Sequence, residues 1–105
     1  MTWPTDPDGD VFRRLHGQGF DFSKSYSVDY NIDFTQWPPP REAIELLQHQ
    51  FGEVKLFPPD GGTLGYALFQ EHGSVTYERV VHVQRTVSLA MQPFGGVCES
   101  WGVLH

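Results

Sequence analysis

Polar and apolar positions alternate most cleanly from Tyr26 to Thr35, where Val28, Tyr30, Ile32 and Phe34 are separated by Asp29, Asn31 and Asp33. A period of two predicts a strand with one buried and one polar face. Two flanking stretches follow helical spacing instead. From Asp8 to Gln18, Val11, Phe12 and Leu15 share one side while Arg13 and Arg14 lie off it. Asp8 or Asp10 is placed to cap that helix, early negative charge suits its dipole, and Gly19 stops it. Trp37-Pro38-Pro39-Pro40 ends the strand, because proline donates nothing to a ladder. Pro39 or Pro40 then opens a second helix reaching Gln50, with Ala43, Ile44, Leu47 and Phe51 on one side and Gly52 as its stop.

Beyond Gly52 the pattern turns extended again. Glu53 to Phe57 reads as a strand with Val54 and Leu56 inward, and Pro58-Pro59-Asp60-Gly61-Gly62 as a turn. Leu64 to Glu71 returns as a hairpin partner, apolar on both faces in its middle. Ser74 to Gln92 carries competing signals. Five β-branched valines favour a strand by propensity, yet Val80, Val83, Val87 and Met91 keep helical spacing and the run is too long for one strand. It is assigned as a helix capped by Ser74. Pro93-Phe94-Gly95-Gly96 breaks it, and Val97 to Leu104 forms the last strand. The order is α-β-α-β-β-α-β. Without its first helix this is the ferredoxin-like α+β arrangement, a four-stranded antiparallel sheet whose first and third strands are central and whose helices pack on it.

The chain has 105 residues, room for one domain over 1–105 with residues 1–6 as a loose lead-in. Thirteen acids against seven bases leave a formal charge of −6, the wrong sign for a nucleic-acid binder. No basic segment leads into an apolar one at the N-terminus, and no run approaches the ~18 apolar residues of a membrane span. The expectation is a cytoplasmic protein with no membrane or direct nucleic-acid contact.

Candidate chemistry narrows quickly. Asp6, Asp8 and Asp10 have a calcium-like spacing, but a loop starting at Asp6 would need glycine where Val11 stands and glutamate where Gly17 stands. Helix capping explains them better. His16, His49, His72, His82 and His105 show no metal spacing and read as exposed singly. Cys98 has no motif around it and reads as a small buried hydrophobe. Gly61-Gly62-Thr63 lacks the residues of a phosphate loop, and the proline run suits a helix entry better than a polyproline ligand. Neither enzyme, cofactor nor metal is expected.

A surface remains. Asp29, Asn31 and Asp33 point away from the core side of a central strand, with Lys55, Phe57, Ala67 and Phe69 on the same side if alternation holds across the hairpin. A wet acidic face is ordinary in an open antiparallel sheet. An acidic face with aromatic edges also suits docking better than reaction, so Asp29, Asn31, Asp33, Phe57 and Phe69 are the candidate partner-binding residues. The first helix is expected to cover part of this side, since its apolar stripe must be buried somewhere.

Asp8-Gly9-Asp10 with Arg14-Leu15, then Gly19-Phe20-Asp21-Phe22-Ser23-Lys24, Asp29-Tyr30, Phe34, Trp37-Pro38 and Gly95-Gly96 with Trp101 form a pattern that resembles the regulator of ribonuclease activity B family. The resemblance spans nearly the whole chain, and Asp-Gly-Asp and Asp-Phe-Ser-Lys are its most specific parts. It marks Asp8, Gly9, Asp10, Asp21, Phe22, Ser23, Lys24, Trp37, Pro38 and Trp101 as family-motif residues. None belongs to a catalytic motif. The resemblance implies a ferredoxin-like fold and a non-enzymatic regulator binding the noncatalytic scaffold of a large endoribonuclease. The chain departs from the best-known members in lacking their long acidic segments. Two other readings are a small-molecule-sensing ferredoxin-like domain and a domain stacking single-stranded RNA on sheet aromatics, the latter opposed by the charges of Asp29 and Asp33.

Overall fold

The period-two stretch forms the central strand. A computed structural model of the chain describes residues 3–103. Its elements are α1 (Pro7–Gly17), β1 (Ser25–Phe34), α2 (Arg41–Phe51), β2 (Val54–Phe57), β3 (Gly65–Ser74), α3 (Tyr77–Met91) and β4 (Gly96–Val103), with a 3₁₀ turn at Gln92–Phe94 before the last strand. The strands form one antiparallel sheet in the order β2-β3-β1-β4. This is the ferredoxin-like order, preceded by one extra helix.

Register fixes the two faces. Tyr30 lies between Phe69 and Trp101, Ile32 between Ala67 and Cys98, and Phe34 between Gly65 and Gly96. These residues point to one side, where α2 contributes Ala43 and Leu47, α3 contributes Val80, Val83, Val87 and Met91, and α1 contributes Phe12 and Leu15, all buried. Such side chains each contribute roughly 1.5–3 kcal/mol on leaving water, so this one layer carries most of the stability. The valine-rich stretch is helical because its four core positions recur on one side, and tertiary burial outweighs β propensity.

Several expectations are corrected. The cap of α1 is Asp6, whose Oδ1 accepts the Gly9 N–H at 2.6 Å, with Pro7 opening the helix, rather than Asp8 or Asp10. Thr76, not Ser74, caps α3 by accepting the Arg79 N–H, because β3 runs on to Ser74. Within the lead-in, Trp3 stacks on Phe12 and lies against Phe22, while Pro4 and Thr5 are exposed. Positions 1 and 2, Leu104 and His105 lie outside the described residues. Leu56 has the parity of the core side, yet 40% of it is exposed on the edge strand. The first helix covers none of the acidic side, since Phe12 meets Tyr77 and Trp101 on the helix-bearing face. Phe69 is likewise misplaced by the sequence reading. It pairs with Tyr30, stacks on Phe51 of α2 and is 0% exposed, so it belongs to the core together with Ala67.

Candidate functional site

The sheet face opposite the helices is laid out in rows by the ladder. Asp29 lies between Gly102 and Gln70, Asn31 between Ser100 and Leu68 with Lys55 beyond, and Asp33 between Val97 and Tyr66 with Phe57 beyond. Asp29, Asn31, Asp33 and Phe57 are therefore brought together on this face, while Phe69 is not. Lys55 is the one lysine or arginine on the strand residues of this side.

The rows differ in what is already engaged. Gln70 Nε2 donates to Asp29 Oδ1 at 2.7 Å, which fixes that carboxylate. Asn31 Nδ2 donates to Ser100 Oγ at 3.2 Å, and Asn31 Oδ1 is buried with no hydrogen-bond partner. Asp33 has neither a hydrogen bond nor an ion pair through its carboxylate among the described residues. Beside it the Tyr66 and Phe57 rings stack with centroids 4.8 Å apart and planes 16° from parallel. Tyr66 was missed by sequence reasoning. The hairpin register pairs it with Phe57, and a residue directly across from an outward one is also outward, but no alternation within β3 itself marks it.

The family-motif residues lie elsewhere, mostly on the helix-bearing side. Asp8 Oδ1 accepts from Trp101 Nε1 at 2.9 Å and from Gln84 Nε2 at 3.2 Å, tying α1 to β4 and α3. Gly9 is required by contact: a Cβ there would lie 1.9 Å from the Pro4 carbonyl oxygen. Asp10 pairs with Arg13, whose guanidinium also donates to the carbonyls of Trp3 and Pro4. Asp6 Oδ2 accepts from the Tyr77 hydroxyl at 2.5 Å, which with the Gly9 N–H holds the Asp6 carboxyl below the usual carboxylate range and raises the Tyr77 phenol.

Asp21 turns the chain between α1 and β1. It accepts the hydroxyl and N–H of Ser23, which lower its pKa in that order, and Lys24 approaches it at 3.9 Å. The turn delivers Phe22 onto Phe12 and Phe20. Trp37, joined to Pro38 by a cis bond, lies over Gly65, where an added Cβ would come within 2.3 Å of the indole. Cys98 is buried, and burial pushes its thiol up to about 12, far from the thiolate a nucleophile needs. Its N–H donates to Ser88 Oγ at 2.9 Å and its carbonyl accepts the Ser88 hydroxyl, clamping β4 to α3.

Among the described residues His16, His49, His72 and His82 are exposed, and no group of three or more His, Cys, Asp or Glu is placed to hold a metal ion. No described helix is long and apolar enough to cross a membrane. The open face thus carries a carboxylate held by Gln70, a second carboxylate at Asp33 with no partner among the described residues, and the stacked Tyr66 and Phe57 rings. Residues 5–103 match the family model described as regulator of ribonuclease activity B. No curated protein matches the chain.

Proposed function

Since the chain belongs to the regulator of ribonuclease activity B family, we propose that it regulates a ribonuclease by contact and not by chemistry, docking its open sheet face on a basic segment of an endoribonuclease's noncatalytic scaffold. One observation carries this reading. All three described helices pack on the same side, so the central strand presents Asp29, Asn31 and Asp33 with no helix over them. A covered acidic strand would be a stability matter; an uncovered one is available.

Charge gives the physics of encounter. A net charge of −6 attracts a basic, flexible segment over long range, and the Asp29 and Asp33 carboxylates on one strand outnumber the single Lys55 on this face. Exposed ion pairs add only about 0–1 kcal/mol of affinity each, so the charges act mainly on the rate of association. Contact area and the rings must supply the rest. Turnover has no place in this account, and the buried high-pKa thiol of Cys98 agrees with that.

The test is association kinetics between the protein and the scaffold segment across a salt series. The double variant Asp29→Asn with Asp33→Asn should bind more slowly than wild type at low salt. The two should converge as the screening length shrinks toward ~3 Å in molar salt. Superimposable on-rates at every salt concentration would remove the open face from the mechanism.

A further inference from the structure

Resting on that docking reading, the row Asp33–Tyr66–Phe57 points further: we infer that the open face selects arginine over lysine, seating one guanidinium of the partner between the Asp33 carboxylate and the Tyr66–Phe57 rings. These three residues are successive neighbours across β1, β3 and β2. Side chains directly opposed in a ladder have Cβ atoms about 4.5–5.5 Å apart, so carboxylate and ring lie within reach of one planar group.

Two observations favour a guanidinium there. Asp33 keeps its carboxylate unengaged among the described residues, unlike Asp29, which Gln70 holds at 2.7 Å. Tyr66 stacks near-parallel on Phe57, so each ring keeps one face that the other does not cover, and Phe57 is 37% exposed. Arginine offers five N–H groups in a rigid plane that can fork onto a carboxylate while lying flat on an aromatic face. A lysine ammonium satisfies the charge but not the plane, and it surrenders its hydration less readily. The Asp29 row has Gly102 and Gln70 as neighbours and no ring, so it attracts a cation without discriminating.

Other occupants fit less well. A nucleic-acid base would stack on the rings, but its phosphates would lie against Asp33 and Asp29. A second copy of this chain brings a further −6 to an already acidic face.

The experiment uses the full chain and two synthetic peptides of identical sequence, one with arginine and one with lysine at every basic position, titrated calorimetrically at one ionic strength. The arginine peptide should bind about tenfold more tightly, the size expected of a bidentate pair plus ring stacking. Tyr66→Leu with Phe57→Leu keeps apolar side chains at both positions and should bring the ratio near one by weakening only the arginine peptide. Asp33→Asn should reduce the ratio where Asp29→Asn leaves it intact. Equal binding of both peptides to wild type, with binding still weakened by Asp29→Asn/Asp33→Asn, would overturn arginine selection and leave the docking reading standing. Binding of neither peptide would overturn both. A preference for a single-stranded RNA oligonucleotide at Tyr66, or dimerisation through these rings, would overturn the inference in favour of that occupant. Because the peptide comparison is made on wild type, it stands whether or not a variant folds.

Discussion

The two faces of this sheet are built on opposite rules. On the helix-bearing side the polar groups that fasten helix to sheet are engaged: Asp8 holds Trp101 and Gln84, Asp6 holds Gly9 and Tyr77, and Arg79 bridges to Glu71 at 2.8 Å. On the open side the ladder leaves the Asp33 carboxylate without a partner among the described residues and sets the Tyr66 and Phe57 rings side by side. The residues read from the sequence as family motif sit mainly on the first side, and Asp33, without a partner among the described residues, sits on the second. Asp8 and Trp101 among the motif residues fasten α1 to the sheet. Function is to be sought where side chains are uncommitted, since a group engaged in holding the fold must break that contact before it can meet a partner.

The sharpest way to break this division is to show that the helix-bearing side tolerates change. Phe12 is fully buried among Trp3, Phe22, Tyr77 and Trp101, so Phe12→Ala should cost about 4 kcal/mol, read as a lowered urea midpoint. Phe22→Ala should cost less, because Phe22 is only half-buried. Equal midpoints for wild type and Phe12→Ala would dissolve the contrast between the faces.

Asp8→Ala comes next. It strands the indole N–H of Trp101 and takes from the Gln84 amide one of its two acceptors, leaving the Val80 carbonyl, and it should cost about 2 kcal/mol. The same variant should move the Trp101 indole N–H resonance upfield. No movement would mean that the bond does not form in solution.

Asp6 sharpens the comparison through pH. Its carboxyl is held below the ordinary value of 3.8 first by the Tyr77 hydroxyl and then by the Gly9 N–H. A depressed acid stabilises the fold above its unfolded-state value, and the contribution is lost as pH falls through the lower folded value. Stability should therefore fall on acidification below about pH 5, and Asp6→Asn should flatten part of that limb. Asp21, lowered by Ser23, should supply part of what remains. An unchanged acid limb in Asp6→Asn would show that the cap contributes nothing through its charge. The smallest effect belongs to the open face. Asp29→Asn with Asp33→Asn should leave stability within about 0.5 kcal/mol of wild type, because neither carboxylate is in an ion pair and an amide oxygen at position 29 still accepts from Gln70.

Much of the fold was legible because β1 and α3 bury one clean stripe each. Val28 to Phe34 at period two and Val80 to Met91 at helical spacing determine their own faces. β3 offered no such parity. Tyr66, Ala67, Leu68 and Phe69 are apolar in succession, so nothing local told that Ala67 and Phe69 face the helices while Tyr66 and Leu68 face outward. Register with β1 settles it, and register is a long-range property. The cap of α1 was ambiguous for a different reason. Three aspartates at alternate positions all qualify, and the deciding feature is Pro7, which favours the first helical position and so makes Asp6 the cap. Where α1 docks is likewise set by side chains far apart in sequence, Asp8 with Trp101. Of the candidate site, the strand half was readable and the hairpin half was not: Asp29, Asn31 and Asp33 alternate within one element, but Phe57 and Tyr66 meet only through pairing.

The central claim is that the helix-bearing side holds the fold while the open side meets the partner, and amide chemical-shift mapping tests it most directly. Isotope-labelled protein titrated with the endoribonuclease scaffold segment should show its largest shifts at Asp29, Asn31, Asp33, Tyr66 and Phe57, with α1 and α3 nearly still. Shifts concentrated on α1 and α3, with the open strands unmoved, would contradict the account.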